Sequence, residues 1–339
     1  MSRRAVLSGD KIVRKDIMAL KAVRFIKNRV SVIIPNWNGI MYLEACLKSM
    51  QRNIFTDYEL IVVDNGSKDG SVKLVETSFP DVKMISFKKN KGFAAACNAG
   101  IKAASGEYIA LINNDVEIES DYFAVLIETL RQDPQCGMAS GKMLNAKHRE
   151  MIDAAGDAFS AGGAPTNRGH NQLDNGQFDQ QKYVFGACAG AAVYRRSLFD
   201  EIGFFDEDYF AYMEDVDLDF RSLLAGYKAL YVPSAKCYHH GSATLGALSP
   251  RHVFLTNRNK LFTIVKNYKR DWLIVHFMDI ISHQIDMARQ FSQTRRGFSF
   301  LRSRISAAWK MPKMVLKRYS LFIHGHRDWD NAYNNIDKR

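Results

Sequence analysis

The chain of 339 residues is short of cysteine and of long apolar runs, and each shortage argues against a class of protein. Its five cysteines, Cys46, Cys97, Cys136, Cys188 and Cys237, are an odd number with no C-x-x-C pair. That argues against a disulfide framework or a structural zinc site and fits a reducing compartment. The longest strongly apolar stretch of the C-terminal third, residues 272–281, contains His276 and Asp279. A membrane-spanning helix needs ~20 apolar residues, so no span is predicted. Residues 1–29 lack a continuous apolar core and a small-residue cleavage site, so no secretory signal is expected. No G-x-G-x-x-G follows the first strand and no G-x-x-x-x-G-K-[ST] occurs, which removes the main support for a dinucleotide fold or a P-loop. There is no internal repeat and no low-complexity segment.

What is present is an ordinary globular composition, 47% hydrophobic and 24% charged, on a chain long enough for one large α/β domain and an appendage. The net charge of +11 is unevenly placed. Residues 1–29 hold nine Lys/Arg against two Asp, and residues 266–339 hold fifteen against six, so the middle of the chain is mildly acidic. Basic ends around an acidic body suggest terminal segments drawn to an anionic surface.

Apolar runs at 30–34, 59–63, 82–87 and 108–112 alternate with helical patterns at 42–50, 71–77 and 94–104. That spacing predicts βαβ units and a parallel sheet. Each strand ends in polar or Gly residues, which makes the carboxyl edge the functional one. Residues 145–182 are rich in Gly, Asn, Gln and Asp and predict a long loop region near the site, either a lid or an ordinary excursion.

Four constellations carry candidate chemistry. Asn113-Asn114-Asp115 ends the 108–112 strand, where a carboxylate among amides can seat a hard divalent cation or simply open a turn. Pro35-Asn36-Trp37-Asn38 and Asp64-Asn65-Gly66-Ser67 end adjacent strands, and a carboxylate there can accept from a base N–H or a ribose hydroxyl. Asn90, Gly92 and Asn98 flank a helix start made of small residues, which favours close approach of an anion. Residues 209–221 place Glu214, Asp215, Asp217 and Asp219 beside aromatics, as dipole-favoured helix-start acids or as carboxylates whose burial tunes a general base. His239-His240 follows a strand signal at 230–233, with structural and metal roles both open.

Together, V-S-V-I-I-P-N-W-N-G, V-V-D-N-G-S-K-D-G-S, N-K-G-F-A-A-A-C-N-A-G, L-I-N-N-D, F-F-D-E-D-Y-F-A-Y-M-E-D-V-D-L-D-F-R and Y-H-H-G-S resemble glycosyltransferase family 2. Within it the chain looks most like the rhamnosyltransferases of bacterial cell-surface polysaccharide assembly. The resemblance covers about residues 30–267 and implies a GT-A fold, an α/β architecture with a doubly wound, mainly parallel sheet and helices on both faces. It leaves residues 1–29 as a basic extension and 268–339 as a basic, amphipathic helical appendage. By the same resemblance, Pro35, Asn36, Asn38, Asp64, Asn65, Asn90, Gly92, Asn98, Asn113 and Asn114 would hold a nucleoside diphosphate sugar. Asp115 and His239 would bind Mg2+ or Mn2+, with His239 matching better than His240. Asp215 would be the general base with Glu214 beside it, and Gly190, Tyr212 and Arg258 would face the acceptor. Many relatives carry Asp where Asn113 stands, and an amide is the weaker ligand.

The implied reaction is an inverting transfer, with L-rhamnose from dTDP-L-rhamnose the preferred donor and a glycan or polyprenyl-linked saccharide the acceptor. Basic and apolar residues alternate over residues 291–322, with Phe298, Phe300, Leu301, Trp309, Met314, Leu316 and Tyr319 among the apolar ones. That pattern suits an anionic membrane interface on the cytoplasmic side, a packed appendage or a homo-oligomer contact equally. A nucleotidyltransferase would show a Gly-rich basic loop after Ile34, and a non-catalytic sugar-nucleotide module would be free to lose Asp115 or Asp215. Nucleic acid is not an expected partner, because it leaves the acidic, motif-bearing middle unexplained.

Overall fold

The computed structural model describes residues 25–241, 249–323 and 327–337. Most of the predicted basic N-terminal segment therefore lies outside the described residues. The chain opens with β1 (Ile26–Asn36), α1 (Ile40–Gln51), β2 (Tyr58–Asp64), α2 (Ser71–Ser78), β3 (Lys83–Ser86), α3 (Phe93–Ala103) and β4 (Gly106–Ile112). Then come β5 (Val116–Ile118), α4 (Tyr122–Gln132) and β6 (Cys136–Asn145). Five short strands follow: β7 (Met151–Ala154), β8 (Asp157–Phe159), β9 (Pro165–Asn167), β10 (Gln172–Leu173) and β11 (Lys182–Val184). After them are β12 (Ala191–Arg195), α5 (Arg196–Ile202), a 3-10 turn at Glu207–Tyr209, α6 (Glu214–Leu224) and β13 (Lys228–His239). The C-terminal helices are α7 (Pro250–Asn267), α8 (Arg270–Val275), α9 (Phe277–Ser292), α10 (Gly297–Ile323) and α11 (Trp329–Asn334).

Strands β3, β2, β1 and β4 lie side by side in parallel, as the alternation predicts. Both faces of this block are covered, which is why its strands read as nearly continuous apolar runs. Val30, Val32 and Ile34 face a core built with Leu43, Leu47, Phe123 and Leu126 from α1 and α4. Ile33, Ile61, Val63, Ile109 and Leu111 face the opposite core, built with the small residues of α3. The sheet then departs from all-parallel. β12 runs antiparallel between β4 and β6, and β13 lies parallel beside β6. Pro35, just past the apolar run at 30–34, does not stop β1 but pairs with Val63 inside it. Pairing with β4 has already ended at Ile33, so the missing N–H interrupts no ladder on that side.

Residues 145–182 are more ordered than predicted. β7 pairs with β6, β10 with β7, and β8 with β9. Buried Lys142 anchors this layer, donating to Asp174 at 2.8 Å and to Asp179. The C-terminal helices continue the body rather than forming a detached unit. A third core joins Phe159, Phe185 and Phe220 to Phe262, Tyr268, Trp272, Ala307 and Met314. α10 packs along α7, with Arg304 donating to the Asn257 carbonyl and Arg318 to that of Val265, each at 2.9 Å. Among the described residues, no helix is long and apolar enough to cross a membrane.

Candidate active site

The carboxyl ends of β1, β2 and β4, the loop before β12 and the start of α6 converge on one cavity of about 870 Å³. Pro35, Asn36, Asn65, Asn90, Asn113, Asn114, Asp115, Gly190, Tyr212, Glu214, Asp215 and His239 all line it. These residues are spread from position 35 to position 239, and the sheet topology makes them neighbours.

An amide relay forms the floor. Asn36, opposite Asp64 in the β1–β2 register, donates to the Asp64 carboxylate at 3.2 Å and accepts from Asn114 at 2.7 Å. The other Asp64 oxygen accepts from the N–H groups of Gly66 and Ser67, which closes the turn after β2. Asn38 accepts from the Lys68 N–H at 2.8 Å and ties the β1 loop to that turn. Asn65 accepts from the Lys91 N–H and donates to the Gly92 carbonyl. Gly92 has φ +101°, and a Cβ there would stand 2.4 Å from the Phe210 carbonyl oxygen. Only glycine allows that approach. Asp64, Asn38 and Gly92 shape the site from behind rather than lining the cavity.

Two more of the expected site residues lie away from the cavity. Asn98 is buried under the 3-10 turn, donating to the Phe205 carbonyl and Glu207 and accepting from the Phe205 N–H. Arg258 is also buried, donating to Asn259 and to the carbonyls of Asp208 and Tyr209. Both brace the loop that leads into α6, and neither lines the cavity.

That loop is strained. Phe210, Tyr212 and Met213 all have positive φ, at 69°, 67° and 70°. Such conformations cost about 1–3 kcal/mol each and persist only where their surroundings fix them. Asn259 fixes them here, with its amide donating to the carbonyls of Tyr209, Ala211 and Tyr212 at 2.9, 3.0 and 2.7 Å. The result is that Glu214 and Asp215 enter the cavity at the first turn of α6. Burial raises the Asp215 carboxyl above its ordinary range, opposed only by backbone N–H groups. Burial and then the neighbouring Asp215 push Glu214 well above its own.

On the facing wall, His239 Nε2 lies 3.4 Å from Asp115 Oδ1. Its Nδ1 lies 2.6 Å from Asp153 Oδ2. Burial alone would lower this imidazole, but Asp115 and Asp153 outweigh it and raise its pKa to about 10. His240 turns aside to Glu117 at 3.1 Å and to the Tyr42 ring. The buried Oδ1 of Asn113, a cavity residue, has no hydrogen-bond partner among the described residues.

Sequence reasoning missed Asp153, Asp157, His170 and Gln172, which bring residues 145–182 into the cavity wall. Asp157 is pushed well above the carboxylate range by burial and then by Asp215. His252 and Thr256 of α7 were missed as well. The only signal for the first group was polar composition, without period or spacing.

Similarity to known proteins agrees with this geometry. An uncharacterised protein of Sinorhizobium fredii is 29% identical over 265 residues, covering 74% of this chain. The chain spans only 28% of that protein's length. The N-acetylglucosaminyl-diphospho-decaprenol L-rhamnosyltransferase of Mycobacterium tuberculosis is 26% identical over 264 residues, covering 71% of this chain and 85% of the relative. Among solved structures, GalNAc-T7 with UDP, GalNAc and Mn2+ superposes with a TM-score of 0.59 at 15% identity, over 87% of this chain and 57% of that one. At that identity the likeness is one of fold. The glycosyl transferase family 2 profile matches residues 31–203, which include the ends of β1, β2 and β4 that build the cavity floor, and the chain belongs to that family.

Proposed function

We propose that the chain is an inverting glycosyltransferase that moves a sugar from a nucleoside diphosphate sugar to a hydroxyl of a glycan or lipid-linked saccharide. One observation carries this reading: a single cavity holds a half-buried carboxylate of raised proton affinity, Asp215, together with the Asp115–His239 pair. Asp215 takes the proton of the acceptor hydroxyl as its oxygen bonds to the anomeric carbon. The bond to the diphosphate breaks on the opposite face, so the anomeric configuration inverts. The Asn114–Asn36–Asp64 relay, Asn65 and Asn90 hold the nucleoside side, and Gly190 and Tyr212 border the acceptor.

The residues fit a divalent cation, Mg2+ or Mn2+. Among the described residues there is no cluster of three acidic, His or Cys ligands. Asp115 and His239 offer a carboxylate and an imidazole, and the orphaned Asn113 Oδ1 offers a third, neutral oxygen. Such cations are commonly held by one or two protein groups, with water and substrate phosphates completing the shell. When bound, the cation would neutralise charge on the departing diphosphate. The Mn2+ in GalNAc-T7 supports this assignment.

L-rhamnose from dTDP-L-rhamnose is the preferred donor, supported by the mycobacterial L-rhamnosyltransferase. A thermal-shift panel of dTDP-rhamnose, UDP-sugars and GDP-sugars, each with and without Mn2+, tests donor and metal together. The expected result is a metal-dependent rise in melting temperature with dTDP-rhamnose. A rise with another nucleotide sugar would replace the donor, and no rise with any would overturn the enzymatic reading.

The same reading places the chain against the cytoplasmic face of a membrane. Phe298, Leu301, Ile305, Trp309 and Leu316 form an exposed apolar stripe on α10, and Trp309 is 87% exposed. Exposed Arg295 and Arg302 lie within or beside it, in a C-terminal segment of strong positive charge. An anionic bilayer is the surface that matches both features.

A further inference from the structure

Asn113 leaves the proposed cation site one carboxylate short. Residues 145–182 bring one close by another route. β7 and β6 pair with a register shift, in which Met143 is opposite Ala154 and Leu144 opposite Ile152. Asp153 is therefore the extra, unpaired residue of a bulge. A bulge re-aims its side chain, and bulges concentrate beside active sites. The Asp153 carboxylate reaches the cavity wall and meets His239 Nδ1 at 2.6 Å, on the ring edge away from Asp115. Asp153 is itself braced by His170, whose Nδ1 lies 3.0 Å from the Asp153 carbonyl oxygen and 3.2 Å from its Oδ1.

An imidazole that donates from Nδ1 to a carboxylate has its tautomer and ring plane fixed, with Nε2 left as the ligand atom. Such partners are tied to metal affinity nearly as strongly as the ligands themselves. We propose that Asp153 is a positioning residue for the cation site, holding His239 with Nε2 turned to Asp115 and so supplying through an imidazole the carboxylate that Asn113 does not. This rests on the proposed cation site at Asp115 and His239. It also gives the β7–β10 layer, which Lys142 anchors through Asp174 and Asp179, a task beyond walling the cavity.

The test is Mn2+ affinity, read by electron paramagnetic resonance in the presence of dTDP and separately of UDP, for the wild type, Asp153→Ala and Asp153→Asn. Melting temperatures establish that each variant is folded. For Asp153→Ala the expected result is Mn2+ binding weakened roughly 10- to 100-fold. Asp153→Asn keeps an acceptor oxygen without the charge and is expected to fall between. Nitrogen-15 NMR of the imidazoles adds a readout independent of metal, with a fixed His239 Nδ1–H in the wild type and in Asp153→Asn but not in Asp153→Ala. Equal Mn2+ affinity in the wild type and both folded variants would overturn the positioning role while leaving the cation site intact. Absence of Mn2+ binding by the wild type with either nucleotide would overturn the cation site and this inference with it.

Discussion

Asp215, Asp217 and Asp219 occupy alternate positions of one helix, yet the first two titrate in opposite directions. Burial works against ionisation of Asp217, but Lys266 and Arg221 outweigh it and hold the carboxyl below its ordinary range. Arg221 Nε and Lys266 Nζ each donate to Asp217 Oδ2 at 2.9 Å. Asp215 has no such cation, and burial raises it. A carboxylate that welcomes a proton suits a base, and one locked in an ion pair suits a strut. Glu214 belongs with Asp215: its Oε2 has no partner among the described residues, and burial and then Asp215 push it up. A raised folded-state pKa favours the fold below the ordinary Glu value of about 4.3, and that advantage is lost as pH rises. Glu214→Gln is therefore expected to melt higher than the wild type at pH 7, with the gap closing as pH falls towards about 4. A gap that does not change with pH, or a less stable variant at pH 7, would contradict the assignment. The acids of α6 were legible in the sequence as a group, but their division was not. It depends on Lys266 and on an empty side of the helix, neither of which local spacing reveals. The placement of Asn98 and Arg258 away from the cavity was hidden for a related reason, since a polar side chain near a motif looks the same whether it meets a ligand or a backbone carbonyl.

At the scale of elements, the parallel strands and their helices were legible because each strand is buried on both faces and ends abruptly in polar residues. The β7–β10 layer was not, because its strands are two to four residues long and held by Lys142 and by neighbouring strands rather than by an apolar period. α10 shows a different limit. Its sequence carries two apolar stripes, and only packing reveals which one is spent: Ala307 and Met314 are buried, while Trp309 and Leu316 face outward. If the outer stripe docks on lipid, the protein should sediment with vesicles of anionic phospholipid at low salt and release as salt screens the basic residues. Replacing Phe298 and Trp309 together by Ser should weaken sedimentation without lowering the melting temperature. Failure to sediment at low salt would rule the membrane face out.

Over the whole molecule, the fold brings to one cavity residues from Pro35 of β1 to Thr256 of α7. The cavity is backed by a core that runs unbroken into the C-terminal helices, through Phe262, Tyr268 and Trp272. The strained loop before α6 is held from α7 by Asn259 and Arg258, so the candidate base is positioned by a helix that lies outside the matched span of residues 31–203. In the proposed reaction Asp215 acts on the acceptor and not on the donor. The most direct measurement is Asp215→Asn, with donor binding by calorimetry and sugar transfer followed on the same preparation. Loss of a general base lowers rate by about 10²–10⁴-fold. The expected result is a loss of that size with donor affinity nearly unchanged. Transfer that survives, or donor binding that disappears along with it, would contradict the claim.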